Sequence, residues 1–514
     1  MLDNVVSTAS LIRLHPDDNV AITRVPLDPG QRLEEQAITL RDAVPRGHKV
    51  ATRQIPRGEA VLKYGQIIGF TTTDIASGQH VHTHNMAMGE LALQHEFSVD
   101  ARPPEPLPPG TPGATFAGYL RADSRVGTRN YIAVLSSVNC SATVSKAVAA
   151  HFAAPGCLDR FPNVDGVIAL THGGGCAINT LGEGYRYLTR VLAGYATHPN
   201  VGAVLMIGLG CETNQIPALL TAHGLSTGPR LRTLVIQESG GTRRTIAAAV
   251  EEIEAMLPVV DLARRTTQPA SAITLALECG GSDGYSGISA NPALGYASDL
   301  LVRHGGTAVL AETPEIFGAE HLLTRRAATP EVATRLLDRI EWWRDYAARG
   351  DAELNNNPSH GNKAGGLTTI LEKSLGAVAK GGASRLNAVY GYGERIDARG
   401  FVFMDTPGFD PVAVTGQVAG GCNIICFTTG RGSVSGFKPT PSIKLATNTP
   451  LFDRMREDMD IDCGTIITGR ESIAEVGERI FAMILAVASG MPTTSETLNY
   501  GDSEFVPWHI GAVM

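Results

Sequence analysis

Four times between residues 131 and 242 an apolar run stops in a polar loop, glycine-bearing in three of the four, that opens a helix. No other feature constrains the fold as strongly. The spacing predicts strands over 131–135, 164–170, 201–207 and 234–236, ending at Ser136 to Ser141, Thr171 to Cys176, Gly208 to Asn214 and Gln237 to Thr242. Strands joined in this way lie parallel, and the edge at their C-terminal ends is the usual binding surface of an α/β sheet. Neither a G-x-G-x-x-G nor a Walker sequence is present, so a nucleotide site is not indicated.

The same pattern recurs, richer in chemistry, at residues 278–292. An apolar run over 272–277 predicts a buried strand. Glu278, Cys279, Ser282, Asp283 and Ser286 then crowd one loop with Gly280, Gly281, Gly284 and Gly287. Glycine lets backbone approach a ligand closely, and a purely structural loop needs fewer ionisable groups. Asn291 and Pro292 read as the cap and first turn of a helix running through Leu301. Downstream, a strand over 308–311 ends at Glu312, a helix covers 330–348, and residues 355–374 form a long irregular polar segment of the kind that is usually functional. Strands over 423–427 and 442–448 and a closing helix over 471–488 complete this region.

Upstream, short apolar runs at 20–22, 49–51, 61–64 and 66–70 are punctuated by proline and glycine, which predicts a small all-β module over 1–98. A proline-rich linker occupies 99–115. Two α/β domains follow, over 116–265 and 266–514. Near the end of the β module stand His80, His82 and His84 at alternate positions, one face of a strand. Imidazoles so placed can ligate a transition metal or act on a proton; the same spacing also serves a solvated face. A strand does not easily turn three rings onto one ion, so two of them with a ligand from elsewhere is the better metal arrangement.

Net charge is −8, so nothing overall attracts nucleic acid or anionic lipid, and an anionic substrate needs local cations. Arg431, set between Gly430 and Gly432, suits bidentate carboxylate binding; Lys363, Lys438 and Lys444 are further candidates. The eight cysteines contain no C-x-x-C pair and suggest reduced thiols. Cys176, Cys211 and Cys279 each follow a strand, as soft metal ligands or a thiolate would, with Glu212 and Glu278 beside two of them. His172 and Asp283 are candidate proton carriers. The first ten residues lack signal-peptide character and no apolar run spans a membrane, so a cytoplasmic protein is expected.

Taken together, these loops resemble the altronate/galactarate dehydratase family. The resemblance rests on Arg46-Gly47-His48-Lys49, HVHTHN at 80–85, Gly127-Thr128-Arg129-Asn130, residues 171–176, His198-Pro199-Asn200, GLGCE at 208–212, ECGGSDGYSGISANP at 278–292, ETPEIFGAE at 312–320, NPSHGNKAGG at 357–366 and TGRGS at 429–433. It implies an N-terminal SAF-type β-clip domain followed by Rossmann-like α/β catalytic domains. It also implies a hydro-lyase that uses ferrous iron, manganese or another divalent metal. The histidines resemble the altronate branch, which implies conversion of D-altronate to 2-dehydro-3-deoxy-D-gluconate and water, as in hexuronate breakdown. Galactarate dehydration, elimination of sulfite from sulfolactate, and a non-catalytic sugar-acid binder are the alternatives. His82, His84, His172 and Asp283 are the expected catalytic residues. Ser282, Asn362, Lys363, Arg431 and Ser433 are expected to bind substrate. His82, His84, Cys176, Cys211, Glu212 and Cys279 are the expected metal ligands. The expected partner is a small sugar acid, bound by a homo-oligomer without nucleic acid or membrane.

Overall fold

The computed structural model describes residues 10–33, 37–91, 93–108 and 110–511. The expectation about the first residues therefore lies outside the described part, Ser10 excepted. Among the described residues no helix is long and apolar enough to cross a membrane.

Residues 10–89 form the expected all-β module. Leu11–Ile12, Val20–Thr23, Lys49–Ala51 and His80–Val81 make one antiparallel sheet, and Ala60–Lys63, Gln66–Thr71 and Met86–Ala87 another. Val50, Ala51, Val61, Ile68, Ile75 and Val81 are fully buried between them. The histidine segment departs from the expected strand. Only His80 and Val81 are in the sheet; Asn85 Oδ1 accepts from His82 N (2.9 Å) and Asn85 Nδ2 donates to His80 O (2.9 Å), which closes residues 82–85 into a turn. This is the Asx chemistry that competes with strand formation.

The segment after the module is irregular, as its prolines dictate, but it is lashed to the C-terminal domain. Ser98 N and Asp100 N donate to Thr324 O and Arg325 O, and Arg325 pairs with Glu96 and Asp100. The middle domain opens with Thr115–Leu120, which pairs antiparallel with Arg265–Pro269. The boundary expected near residue 266 thus falls inside a strand that zips the domain's entrance to its exit. Between them lies a four-stranded parallel sheet in the spatial order Gly166–Leu170, Tyr131–Ser136, Val201–Gly208, Leu231–Val235. Every residue of Tyr131–Ser136 and Val201–Gly208 is buried, the near-continuous apolar pattern of a parallel sheet covered on both faces.

The C-terminal domain is built on seven parallel strands, in the order Leu386–Tyr390, Gly400–Met404, Thr307–Leu310, Thr274–Cys279, Ile424–Thr429, Ser442–Ala446, Ile461–Asp462. Glu278 and Cys279 are the last residues of the central strand, not of the loop after it. The helix expected after Pro292 begins earlier, at Ala290, with Ser289 as its cap. Asn291 instead accepts from Thr428 Oγ1 (2.7 Å) and donates to Gly376 O (2.9 Å). The segment expected to be irregular over 355–374 holds two helices, His360–Ala364 and Ile370–Val378. The first is fixed by a capping box between Ser359 and Asn362.

Two of the recurrent motifs serve the joint between the α/β domains. Arg129 makes a two-pronged ion pair with Glu496 (2.6 and 2.7 Å), Thr128 Oγ1 donates to Asn423 O (2.7 Å), and the His198 ring donates from Nε2 to Cys422 O (3.0 Å). The C-terminal tail returns over the middle domain, where Trp508 stacks between Tyr187 (5.2 Å) and Trp343 (5.3 Å).

Candidate active site

The β module docks on its own chain through a buried charge cluster. Glu372 accepts from Lys49 (2.8 Å) and Lys63 (2.9 Å), and all three side chains are at most 1% exposed. Thr368 adds its backbone N–H (3.0 Å) and hydroxyl (2.7 Å) to the same carboxylate. Burial alone would raise this carboxyl, but the two ammonium groups hold it well below the usual range. Beside it, Gly47 packs against the backbone at Gly284 and Gly366: a Cβ on either of those would stand 2.0 and 2.3 Å from Gly47 O. Glycine is therefore required at that contact.

Above this contact four imidazoles gather. His48 joins the three histidines expected from the sequence: its Nδ1 lies 3.0 Å from His80 Nε2, its ring stacks on His82 (5.0 Å), and His84 lies 5.4 Å from His80. His82 Nε2 donates to Lys363 O (2.9 Å), and His48 Nε2 approaches Ala364 O (3.3 Å). Burial, reinforced by neighbouring imidazoles, depresses His48 to about 4 and His80 to about 3. Both rings are neutral at neutral pH. The stability that depends on their neutrality is complete above their ordinary value of 6.5 and is lost as pH falls through 4 and then 3. We expect the melting temperature to drop steadily from pH 6.5 to 4, and a His48→Gln/His80→Gln double variant to lose most of that acid slope; an unchanged slope would contradict this.

The segment 357–366 runs from the histidines to a second, wholly buried cluster at the C-terminal ends of the central strands. Cys279 Sγ donates to Glu315 Oε2 (3.3 Å), lies 3.6 Å from Glu312 Oε2, and accepts from Lys380 Nζ (3.0 Å). Lys373 pairs with Glu315 (2.6 Å) and bonds Asn357 Oδ1 (2.8 Å), while Asn357 Nδ2 donates to Glu315 Oε1 (2.7 Å). Glu278 and Asp410 complete the group; a Cβ on Gly280 would meet Asp410 Oδ2 at 2.0 Å.

The electrostatics divide these acids. Burial and the neighbouring Glu315 push Glu312 up to about 8, and burial with Glu315 pushes Asp410 up to about 6. Burial and Glu312 push Glu278 far up. Burial opposes ionisation of Glu315 too, yet Lys373 and Lys380 hold it below the ordinary range. Burial likewise raises the Cys279 thiol despite Lys380. Glu312 has a left-handed backbone (φ 68°), a strained setting for a residue with a Cβ and one that clusters at functional sites.

These residues fit a divalent cation. The ligand atoms of Cys279, Glu312 and Glu315 lie within 4.8 Å of one another. Both oxygens of Glu278 and Glu312 Oε1 are buried without a partner. Lys373 and Lys380 are the only cationic side chains bonded to this cluster among the described residues.

The residues singled out in the sequence fall in separate places. Asp283 is a saturated acceptor, taking hydrogen bonds from Thr447 Oγ1 (3.0 Å), Ser286 Oγ (3.1 Å), Tyr285 N (3.1 Å) and Asn448 Nδ2 (3.1 Å). Burial raises its carboxyl nonetheless. Gly430 packs directly against it: a Cβ there would stand 2.2 Å from Asp283 Cγ. Ser282 O accepts from Asn362 Nδ2 (2.9 Å), which ties the central loop to segment 357–366. Arg431 is exposed, and its Cδ passes 3.2 Å from the Cβ position of Gly365. Among the described residues neither Arg431 nor Lys363 has an ion-pair partner. Ser433 Oγ donates only to Ser435 Oγ (3.3 Å). Lys444, by contrast, is buried and bonds Ser495 Oγ (2.6 Å), and Lys438 pairs with Asp502 (2.9 Å).

His172, Cys176, Cys211 and Glu212 lie in the middle domain, apart from Cys279 and from the histidines. Among the described residues, no three of the six expected metal ligands bring their ligand atoms within 4.8 Å of one another. His172 donates from Nε2 to Ser136 O (3.0 Å) and accepts at Nδ1 from Gly174 N (3.1 Å); burial lowers it to about 4. Glu212 spends its carboxylate on Ser137 Oγ (2.7 Å), Gly210 N (2.6 Å) and Leu209 N (3.2 Å). Glu312, Glu315, Lys373, Lys380 and Asp410 were not among the expected site residues. The strand-end rule was enough to find the first two, since Glu312 follows the strand Thr307–Leu310 by two residues.

An all-β module docked on a parallel α/β sheet, with a buried set of acids, a thiol and lysines at the strand ends, is an arrangement suited to proton transfer. Comparison with known proteins makes the class specific. Residues 9–89 match the altronate/galactarate dehydratase SAF domain. Residues 118–261 match the D-galactarate dehydratase/altronate hydrolase second domain, and residues 270–513 the D-galactarate/altronate dehydratase C-terminal domain. Galactarate dehydratase (L-threo-forming) from Escherichia coli (strain K12) is 40% identical over 95% of this chain and 94% of its own. Altronate dehydratase from the same organism is 36% identical over 94% of this chain and 96% of its own; that of Bacillus subtilis (strain 168) is 34% identical over 95% and 96%. The chain belongs to the galactarate/altronate dehydratase family. It is an enzyme, a hydro-lyase, and not the non-catalytic binder that the histidine module also allowed.

Proposed function

We propose that the protein removes water from a sugar acid in the cleft between the β module and the C-terminal domain, and that its substrate is D-altronate, giving 2-dehydro-3-deoxy-D-gluconate. The observation that carries this reading is the run of segment 357–366, which bonds the buried acid–thiol–lysine cluster at Asn357 and the histidine group at Lys363.

Dehydration next to a carboxylate needs three things: a cation on the carboxylate, a base for the α-proton and an acid for the departing hydroxyl. Arg431 and Lys363 supply the first. Neutralising the carboxylate makes the adjacent C–H more acidic, because the enediolate that forms places a second negative charge on those oxygens. His84, which makes no hydrogen bond among the described residues, is the base we assign. Glu312, protonated at neutral pH, is the acid, and Lys380 (3.4 Å) stabilises its conjugate base. Cys279 and Glu315, with the unpartnered carboxylate of Glu278, would hold a divalent metal such as ferrous iron or manganese, which leaves Glu312 its proton. Bound there, it would supply further stabilisation of the developing anion. The free thiols suit a reducing cytoplasm.

Galactarate is the second reading, favoured by the relative at 40% identity. It carries a carboxylate at each end and so calls on both Arg431 and Lys363. The test is product analysis of anaerobic, metal-supplied enzyme with D-altronate, galactarate and sulfolactate. Keto acid from altronate supports the proposal. Keto acid from galactarate alone moves the substrate, and release of sulfite replaces the reaction. Arg431→Ala should raise KM by one to two orders of magnitude, the loss of about 1.5–3 kcal/mol for a hydrogen bond to a charged group. Because the side chain is exposed, the melting temperature should not move; an unchanged KM would remove Arg431 from the site.

A further inference from the structure

The mechanism leaves three exposed thiols unused. Of the eight cysteines, Cys279, Cys422, Cys426 and Cys463 are buried and Cys157 is half-buried. The three exposed ones, Cys140, Cys176 and Cys211, follow three neighbouring parallel strands, Tyr131–Ser136, Gly166–Leu170 and Val201–Gly208. Cysteine ordinarily packs as a small hydrophobe, so three exposed thiols on neighbouring loops at one sheet edge call for a reason.

The three loops are tied together beside each thiol. Asn139 N donates to Gly174 O (2.9 Å), joining the loops of Cys140 and Cys176. Asn214 N donates to Gly175 O (2.9 Å), joining those of Cys211 and Cys176. Ser137 Oγ donates to Glu212 Oε1 (2.7 Å) and Asn214 Nδ2 to Ser137 O (2.9 Å), joining those of Cys140 and Cys211. Every pair is linked directly, through residues close in sequence to the cysteines.

The backbone is bent to keep this arrangement. Gly175 (φ 99°) and Gly210 (φ 127°) precede two of the thiols, and Ala177 after Cys176 also sits in the left-handed region (φ 53°), which residues with a Cβ rarely hold without cause. A Cβ on Gly175 would stand 2.5 Å from Ser137 O, so glycine is what lets the Cys176 loop press against the loop carrying Cys140.

The donor set is sulfur only, since Glu212 is committed to its own loop. One tetrahedral ion with 2.3 Å bonds to sulfur would hold its thiolates about 3.8 Å apart. Among the described residues, the group whose ligand atoms come within 4.8 Å of one another is Cys279, Glu312 and Glu315, not these three. Bridging a wider triangle of thiolates is what iron and sulfide do together. A cavity of about 570 Å³ borders two of the loops at Asn139, Gly173 and Gly174 and is lined also by Lys146 and His509, so an anion can approach.

We propose that Cys140, Cys176 and Cys211 bind an iron–sulfur cluster of the four-iron, four-sulfide type, with three irons held by thiolates and the fourth open toward this cavity. The site does not depend on which acid is turned over, nor on the assignment of Cys279.

The full-length protein is purified anaerobically, supplied with ferrous iron and sulfide, desalted, and assayed for iron, acid-labile sulfide and visible absorption. We expect about four irons and four sulfides per chain. Cys140→Ser, Cys176→Ser and Cys211→Ser should each lose most of the sulfide and colour while melting like the parent. Cys157→Ser and Cys279→Ser should keep both, the latter even if it is inactive. Iron without sulfide, no bound iron, or full cluster content in the three variants would overturn the proposal.

Discussion

Replacing Glu372 with alanine should release the β module from the body of the enzyme. The substitution leaves Lys49 and Lys63, both essentially unexposed, facing each other without their shared counter-charge. Removing one member of a buried pair costs about 3–5 kcal/mol, because the charge left behind is neither solvated nor paired. Two stranded lysines place this variant at the upper end. A multidomain chain does not unfold in one step, so the effect is read locally. Proteolytic cleavage at the exposed residues 102–106 and hydrogen exchange over residues 80–87 should both accelerate strongly. Activity should fall with them, since His84 leaves the cleft. A triple variant, Lys49→Met/Lys63→Met/Glu372→Leu, should regain docking without regaining charge. Docking unchanged in Glu372→Ala would show that apolar contacts alone hold the module.

Replacing Glu315 with glutamine should abolish most turnover while leaving the fold in place. The amide keeps the shape and can still bond Lys373 and Asn357. It removes the one carboxylate of the cluster that the lysines keep ionised. Glu312 then loses the charge that contributes to its raised pKa, so the acid and its partner fail together. Loss of a positioned proton-transfer group costs about 10²–10⁴-fold in rate. We expect kcat to fall by that amount with KM little changed, because Arg431 and Lys363 still hold the carboxylate. A KM effect with normal kcat would mean that Glu315 binds substrate and does not shape the chemistry.

The parts of this molecule written locally were legible in its sequence. Each strand of the middle sheet ends within a residue or so of its expected place, because an apolar run and the polar loop that stops it are adjacent in the chain. Two strands of the large sheet, Leu386–Tyr390 and Gly400–Met404, escaped. Both are followed by polar, glycine-bearing loops, Gly391 to Glu394 and Asp405 to Gly408, so the signal that announced the others was present there too. The helix is capped at Ser289, two residues before the expected cap, because Asn291 has a better use across the sheet at Thr428.

The histidine segment shows a different limit. Its alternation fits a strand, yet the side chain of Asn85 folds it into a turn and so brings His84 back beside His80. The fourth imidazole, His48, stands 32 residues from His80, just before the strand Lys49–Ala51. Glu372 lies 323 residues from Lys49, and nothing in the local pattern of either announces the other. The buried acids were within reach of the strand-end rule, but their opposed ionisation follows from Lys373 and Lys380, which only the folded chain places beside them.

The central claim is that this chain eliminates water next to a carboxylate, and turnover of D-altronate in deuterium oxide tests it most directly. Proton NMR of the product should show a 2-keto-3-deoxy acid with one solvent deuterium at C3 and no proton retained from C2, since the enol formed by loss of the C2 proton must take its new hydrogen from solvent. A folded, metal-supplied enzyme that yields no keto acid from altronate or galactarate, or a product that carries the C2 proton unexchanged, would contradict the account.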